Sequence, residues 1–180
     1  LQFVVLDGKG GADYQGWAGK RHVWHVAEEG YELAEAMELL SALKLSRKRW
    51  LKEVQASSWD NYKGPNKPPL VIVIVSELSQ LAEVMGEGEV ESWLMTEINI
   101  WRGLGLRLLI GTQNSSRWSK KWRAAIEFFC AGRQPSRDEV KPNTGKDVSE
   151  LEAMGVVPPH KLPQLDKGRG VFTIVQGDVG

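Results

Sequence analysis

Three hydrophobic runs in this chain each end directly in polar side chains that can do chemistry: Leu1–Leu6 before Asp7, Gly8 and Lys9, Leu70–Val75 before Ser76 and Glu77, and Leu106–Ile110 before Gly111, Thr112 and Gln113. A carboxylate can orient a water molecule or share the hydration shell of a hard cation, while a hydroxyl, an amide or an ammonium can bind an anion. The middle run has six consecutive aliphatic residues, rich in valine and isoleucine, after Gly64-Pro65 and Pro68-Pro69. It reads as a strand buried on both faces at the centre of a parallel sheet. Glu77 then falls at the carboxyl end of a central strand, where α/β sheets place their ligands. Taken alone, this stretch reads better as a helix start, with Ser76 the cap of a helix running from Glu77. The two other polar strand ends turn the balance toward a site.

What must position these residues is bounded by length and composition. A chain of 180 residues with 42% hydrophobic content supports one domain with a proper core. Twenty-three basic and 23 acidic residues cancel, so no global field draws in nucleic acid or anionic membrane, and any basic site is local. The single cysteine, Cys130, rules out an internal disulfide and a cysteine-based zinc cluster, suits a reducing cytosol and reads as a small core residue. His22, His25 and His160 lack metal-ligand spacing. The sequence contains no signal peptide or membrane-spanning run. Its start at Leu1, inside a strand pattern, suggests a piece of something longer.

In chain order, RHVWHV at Arg21–Val26 alternates like a short strand. Gly30 to about Gln55 reads as one amphipathic helix, with Leu33, Met37, Leu40, Leu43 and Leu51 near helical spacing and basic residues late, as the helix dipole favours. Ser57–Pro69 is a loop. Leu78, Leu81 and Met85 form a short helical face that stops at Gly86, and Glu89–Arg102 is a second helix with Val90, Trp93, Leu94, Ile98 and Trp101 on one side, ended by Gly103. Leu106–Ile110 is expected to be another buried strand. Arg117–Arg123 is basic with two tryptophans, and Ala124–Ala131 is a strand candidate. Pro135–Val148 reads as a polar loop, Ser149–Met154 as a short helix and Val171–Val175 as a terminal strand. Strand and helix alternate as in doubly wound α/β folds.

The residues at the strand ends carry a resemblance. LQFVVLDGKGG resembles the strand and Asp-Pro-Lys-Gly turn of the FtsK/SpoIIIE family of DNA-translocating motors, with Gly8 where proline is usual. VIVIVSELSQL is similar to their Walker B strand, WRGLGLRLLIGTQNSS to their Arg-Ala-Ala-Gly turn, strand and Ala-Thr-Gln-Arg-Pro-Ser, and GRGVFTIV to their closing strand. The four stretches stand in the family's order from Leu1 to about Val175.

This resemblance implies a RecA-like P-loop NTPase core, with a mostly parallel sheet and helices on both faces. Residues 1–180 would be one partial motor domain that begins after the Walker A strand, with a candidate mobile loop at 134–148. It implies an ATP-driven double-stranded DNA translocase, assembled as a ring of identical copies and working in the cytoplasm, with any membrane anchor lying in other segments. ATP and Mg2+ would belong to the complete protein; without a P-loop, this chain alone is not expected to bind nucleotide. Glu77 would orient the attacking water and Gln113 would sense the γ-phosphate, while Arg102 would reach the site of an adjacent subunit as an arginine finger. Ser76, Asp7, Lys9 and Thr112 would line the nucleotide site. Arg117, Lys120, Lys121 and Arg123, interleaved with Trp118 and Trp122, would grip the DNA backbone, with Arg133 and Arg137 as weaker candidates.

Two departures qualify the implication. Ser76 stands where the family's magnesium-holding aspartate is expected, and a neutral hydroxyl is a poorer partner for a hard cation. Asn114 stands where an arginine is usual. A second expectation therefore stands beside the first: a catalytically degenerate, non-hydrolysing relative that binds DNA or a partner.

Overall fold

A computed structural model describes residues 1–7, 14–27, 30–112, 128–164 and 172–176. The chain divides into two compact units, Leu1–Gln113 and Asn114–Gly180.

The first unit is built on a parallel sheet. Its strands are β1 (Gln2–Asp7), β2 (Val23–Ala27), β3 (Val71–Ser76) and β4 (Leu106–Ile110), in the spatial order β2-β1-β3-β4. Every neighbouring pair is parallel, and β1 and β3 run in unbroken register from Gln2 opposite Val71 to Asp7 opposite Ser76. Val73, Ile74 and Val75 are all buried, and since successive side chains point to opposite faces, both faces of β3 are covered. This is the central strand expected from its composition. In contrast, β4 is the edge strand among the described residues. Only its Leu106 is buried, and Leu109 is 57% exposed, which corrects the expectation of a fully buried strand.

Among the described residues this unit has three α-helices, α1 (Gly30–Glu53), α2 (Leu78–Met85) and α3 (Glu87–Trp101). The buried stripe of α1 is Ala36, Leu40, Leu43, Arg47 and Leu51, at spacings of three and four that keep them on one face. Met37 lies half-buried beside it, and the side chain of Leu33 lies outside the described residues. Arg47 is the exception in an apolar row. Its Nη2 donates to the Pro69 carbonyl at 2.5 Å, and burial pushes its guanidinium pKa below the usual value. On α3 the same spacing buries Val90, Leu94, Glu97 and Trp101.

The second unit contains β5 (Phe128–Ala131) and β6 (Thr173–Gln176), paired antiparallel as a separate two-stranded sheet. Two short helices, α4 (Val140–Thr144) and α5 (Val148–Ala153), pack Val140, Val148 and Leu151 with Val175 into a small core. A helix within the segment read as a polar loop is a correction. Val140 and Thr144 are fully buried, and the Thr144 hydroxyl donates to the Val140 carbonyl at 2.8 Å, so one apolar anchor and one satisfied hydroxyl close a helical turn. Cys130 is likewise corrected: it is exposed, because the β5 pleat turns Ala131 into the core and Cys130 outward. No helix among the described residues is long and apolar enough to cross a membrane.

Candidate functional site

The parallel sheet gathers Asp7, Ser76, Glu77 and Thr112 at one edge. Asp7 ends β1, Ser76 ends β3, and the two are register partners on adjacent strands, whose backbones run about 4.8 Å apart. Asp7 is fully buried and Ser76 nearly so. The chain passes from β1 outward to β2 and then returns to place β3 on the other side of β1. The strand order therefore reverses between β1 and β3, and a crevice at such a reversal is where open α/β sheets take ligands.

Glu77 is the residue on which the local chain turns. It is buried, and its backbone is left-handed at φ 52 and ψ 72, a conformation a non-glycine residue adopts at a cost. The helix begins after it, at Leu78, and no side chain caps it. This overturns the reading of Ser76 as a cap for a helix starting at Glu77. The first helical N–H, from Leu78, instead donates to the Gly111 carbonyl at 2.9 Å, while the Gly111 N–H donates to the Val75 carbonyl at 2.8 Å. Gly111 thus ties the end of β4 to the end of β3 and brings Thr112, half-buried, to the same edge.

Arg102 lies elsewhere. It follows α3 and precedes β4, so it sits at the amino end of a strand whose carboxyl end leads to Thr112. Five residues at about 3.3 Å each separate the two ends, roughly 16 Å, and the Arg102 side chain is exposed. Within one chain, Arg102 and Glu77 do not share a site. Arg133, in the second unit, is exposed and donates Nη1 to Gln164 Oε1 at 2.7 Å. Lys9, Gln113, Arg117, Lys120, Lys121 and Arg123 lie outside the described residues, as do Trp118 and Trp122.

The chemistry of this edge is oxygen-based: two carboxylates and two hydroxyls. Among the described residues, no group of three histidine, cysteine or acidic side chains could hold a metal ion on protein ligands alone. Such an edge suits a magnesium ion that keeps most of its waters and takes its remaining partners from phosphate oxygens. The sequence has no Gly-x-x-x-x-Gly-Lys-Ser/Thr turn to cradle those phosphates. A separate polar cleft of about 300 Å³ in the second unit, lined by Arg137, Asp138, Lys141, Asp147, Val148 and Ser149, includes none of the strand-end residues.

No described protein family and no curated protein matches the sequence. Solved structures do. The cytoplasmic domain of the type VII secretion ATPase EccC from Thermomonospora curvata matches with a TM-score of 0.68 at 22% identity, covering 98% of this chain and 22% of that one. The pCW3 conjugation coupling protein TcpA, solved with ATPgS, matches with a TM-score of 0.66 at 17% identity, over 96% of this chain and 49% of its own. EssC (ATPases 2 and 3) from Geobacillus thermodenitrificans matches with a TM-score of 0.70 at 13% identity, over 98% of this chain and 32% of its own. These are ATPases of the FtsK/SpoIIIE type, to which the strand-end motifs point, and at such identities the likeness shows the fold. The mixed α/β fold with a parallel RecA-like sheet is as the sequence leads one to expect. The chain spans between about a fifth and a half of the length of these structures.

Proposed function

We propose that this chain is part of an ATP-driven translocase motor that moves double-stranded DNA as a ring of identical copies on the cytoplasmic side. The observation that carries the proposal is Glu77: a buried carboxylate in a strained backbone conformation, one residue past the central strand, at the point where strand order reverses.

Magnesium-bound ATP supplies the γ-phosphoryl group when present, and its transfer to water demands positioning and charge neutralisation rather than covalent help. Glu77 would accept a hydrogen bond from the attacking water and hold it in line. Its left-handed backbone fixes where the carboxylate starts, and the Gly111 bridge fixes that backbone against β4. Asp7, in register with Ser76, would accept hydrogen bonds from the ion's water shell, while the Ser76 and Thr112 hydroxyls donate to phosphate or water oxygens. Gln113 would follow Thr112 toward the γ-phosphate. Lys9, two residues after Asp7 in the chain, would add positive charge. Arg102, at the far edge of the sheet, would serve a neighbouring copy's site, and its distance from Glu77 along β4 favours that role over one in its own. The basic, tryptophan-rich stretch at Arg117–Arg123, with Arg133, would grip DNA phosphates without reading sequence.

The deciding experiment is Glu77→Gln in the full-length protein. Losing a positioned base costs about 10²-fold or more in ATP turnover, with nucleotide affinity unchanged. Turnover at the unaltered rate would refute the assignment. A second reading, a non-hydrolysing relative that binds DNA or a partner motor, is favoured by one observation: the neutral Ser76 beside Asp7. It predicts that the unaltered full-length protein binds DNA and turns over no ATP.

A further inference from the structure

The turn joining α3 to β4 is tied from several directions. Its Gly103 carbonyl accepts the Trp59 N–H at 2.7 Å, and its Gly105 carbonyl accepts the Val71 N–H at 3.0 Å. Just before it, Trp101 Nε1 donates to Glu97 Oε2 at 2.6 Å, and Lys44 Nζ of α1 donates to Glu97 Oε1 at 2.5 Å. The Arg102 carbonyl accepts both the Gly105 N–H at 3.3 Å and Arg107 Nη1 at 2.9 Å. Arg107 Nη1 also donates to the Leu106 carbonyl at 3.1 Å, and its Nη2 reaches both oxygens of Asp60, 47 residues away in the chain, at 3.1 and 3.2 Å.

This last arrangement is hard to explain as stabilisation. The Arg107 and Asp60 side chains are 36% and 48% exposed, and ion pairs so open to water contribute little to stability. Geometry is what the planar guanidinium adds, since its fork can hold a carboxylate and two carbonyls at fixed angles where a lysine ammonium cannot. The backbone fixed by it carries the exposed Arg102.

We propose that Arg107, oriented by Asp60, is a positioning residue for Arg102, fixing the turn from which Arg102 reaches the nucleotide of a neighbouring copy. The proposal rests on the reading of Arg102 as an arginine that acts in trans. A group that stabilises charge at a transferring phosphoryl works only from the right place, and a displacement of about 1 Å can cost 10²-fold. A turn held by Arg107 and Asp60 keeps Arg102 in place before any neighbour arrives.

The test uses full-length assembled protein and fluorescent ADP, with and without aluminium fluoride, which mimics the transferring phosphoryl group. Binding is read by anisotropy and folding by thermal melting. Arg102→Ala should cut affinity for the ADP–fluoroaluminate complex about 100-fold. Arg107→Lys and Asp60→Asn should each cut it about tenfold, with ADP affinity within about twofold of the unaltered protein and the melting temperature within about 2 °C. If Arg102→Ala weakens the mimic while Arg107→Lys and Asp60→Asn do not, the positioning role is refuted and the trans role of Arg102 stands. If Arg107→Lys weakens ADP and mimic alike, with a lowered melting temperature, Arg107 is structural and the inference fails. If the unaltered protein binds the mimic no tighter than ADP, or Arg102→Ala changes nothing, the reading of Arg102 falls and the inference with it.

Discussion

Asp7 and Ser76 are register partners at the ends of neighbouring parallel strands, a fully buried carboxylate beside a nearly buried hydroxyl. A second carboxylate at position 76 would repel the first in the absence of a cation and share an ion's water shell in its presence. Ser76→Asp in the full-length protein should therefore lower the melting temperature without Mg2+ and raise it with Mg2+ and ATP. It should also tighten the magnesium dependence of ATP turnover on the order of tenfold to a hundredfold. An aspartate variant no faster and no more magnesium-sensitive than the serine protein would show that position 76 does not face the ion.

Glu77 offers a separate test, because its backbone and its carboxylate make opposite demands. At φ 52 a glycine is unstrained and an alanine is not, so Glu77→Gly should be more stable than Glu77→Ala by about 1 kcal/mol while both abolish hydrolysis. Thermal melting and ATP turnover on the same preparation check both halves. A glycine variant melting no higher than the alanine variant would mean that the left-handed backbone stores no strain and is incidental to function.

Gly105 tests the packing of the turn beneath Arg102. Its φ is 75, and an added Cβ would lie 2.4 Å from Trp59 Cγ, so Gly105→Ala must displace an indole that itself donates to the Pro68 carbonyl at 2.9 Å. A loss of about 2–3 kcal/mol is expected. Gly86 also has positive φ, at 93, but open space where a Cβ would go, so Gly86→Ala should cost only the backbone strain of about 1 kcal/mol. Equal costs at the two positions, measured by denaturant titration, would argue against the Trp59 contact.

The DNA reading is tested through salt. If Arg117, Lys120, Lys121 and Arg123 neutralise phosphates, each contributes about −0.9 to the log–log slope of affinity against salt on duplex DNA. Changing Lys120 and Lys121 together to alanine should flatten the slope by about two such contacts, equally on unrelated sequences. Anisotropy across a salt series on the assembled full-length protein reads this directly. An unchanged slope would make the cluster an ordinary solvated surface.

Much of this protein was written locally in its sequence. The aliphatic run before Ser76 could only be a strand covered on both faces, and the spacing of Leu40, Leu43 and Leu51 could only be one side of a helix, because water exclusion imposes its period directly on the chain. The strand-end positions of Asp7, Glu77 and Thr112 followed from the same runs. That β1, β3 and β4 are parallel neighbours follows from their polar ends, which must converge at one edge, but tertiary structure alone decided that β2 flanks β1 and that the register sets Asp7 beside Ser76. It also decided that β5 and β6 pair antiparallel in a sheet of their own, that Cys130 faces outward, and that Glu77 takes a left-handed backbone. The bond from Arg107 to Asp60 spans 47 residues and leaves no periodic trace, because it joins two exposed polar side chains. Hydrophobic pattern reports what each segment must hide from water. Which segments meet is set by pairing energies summed over the whole fold, and no single stretch of chain contains that sum.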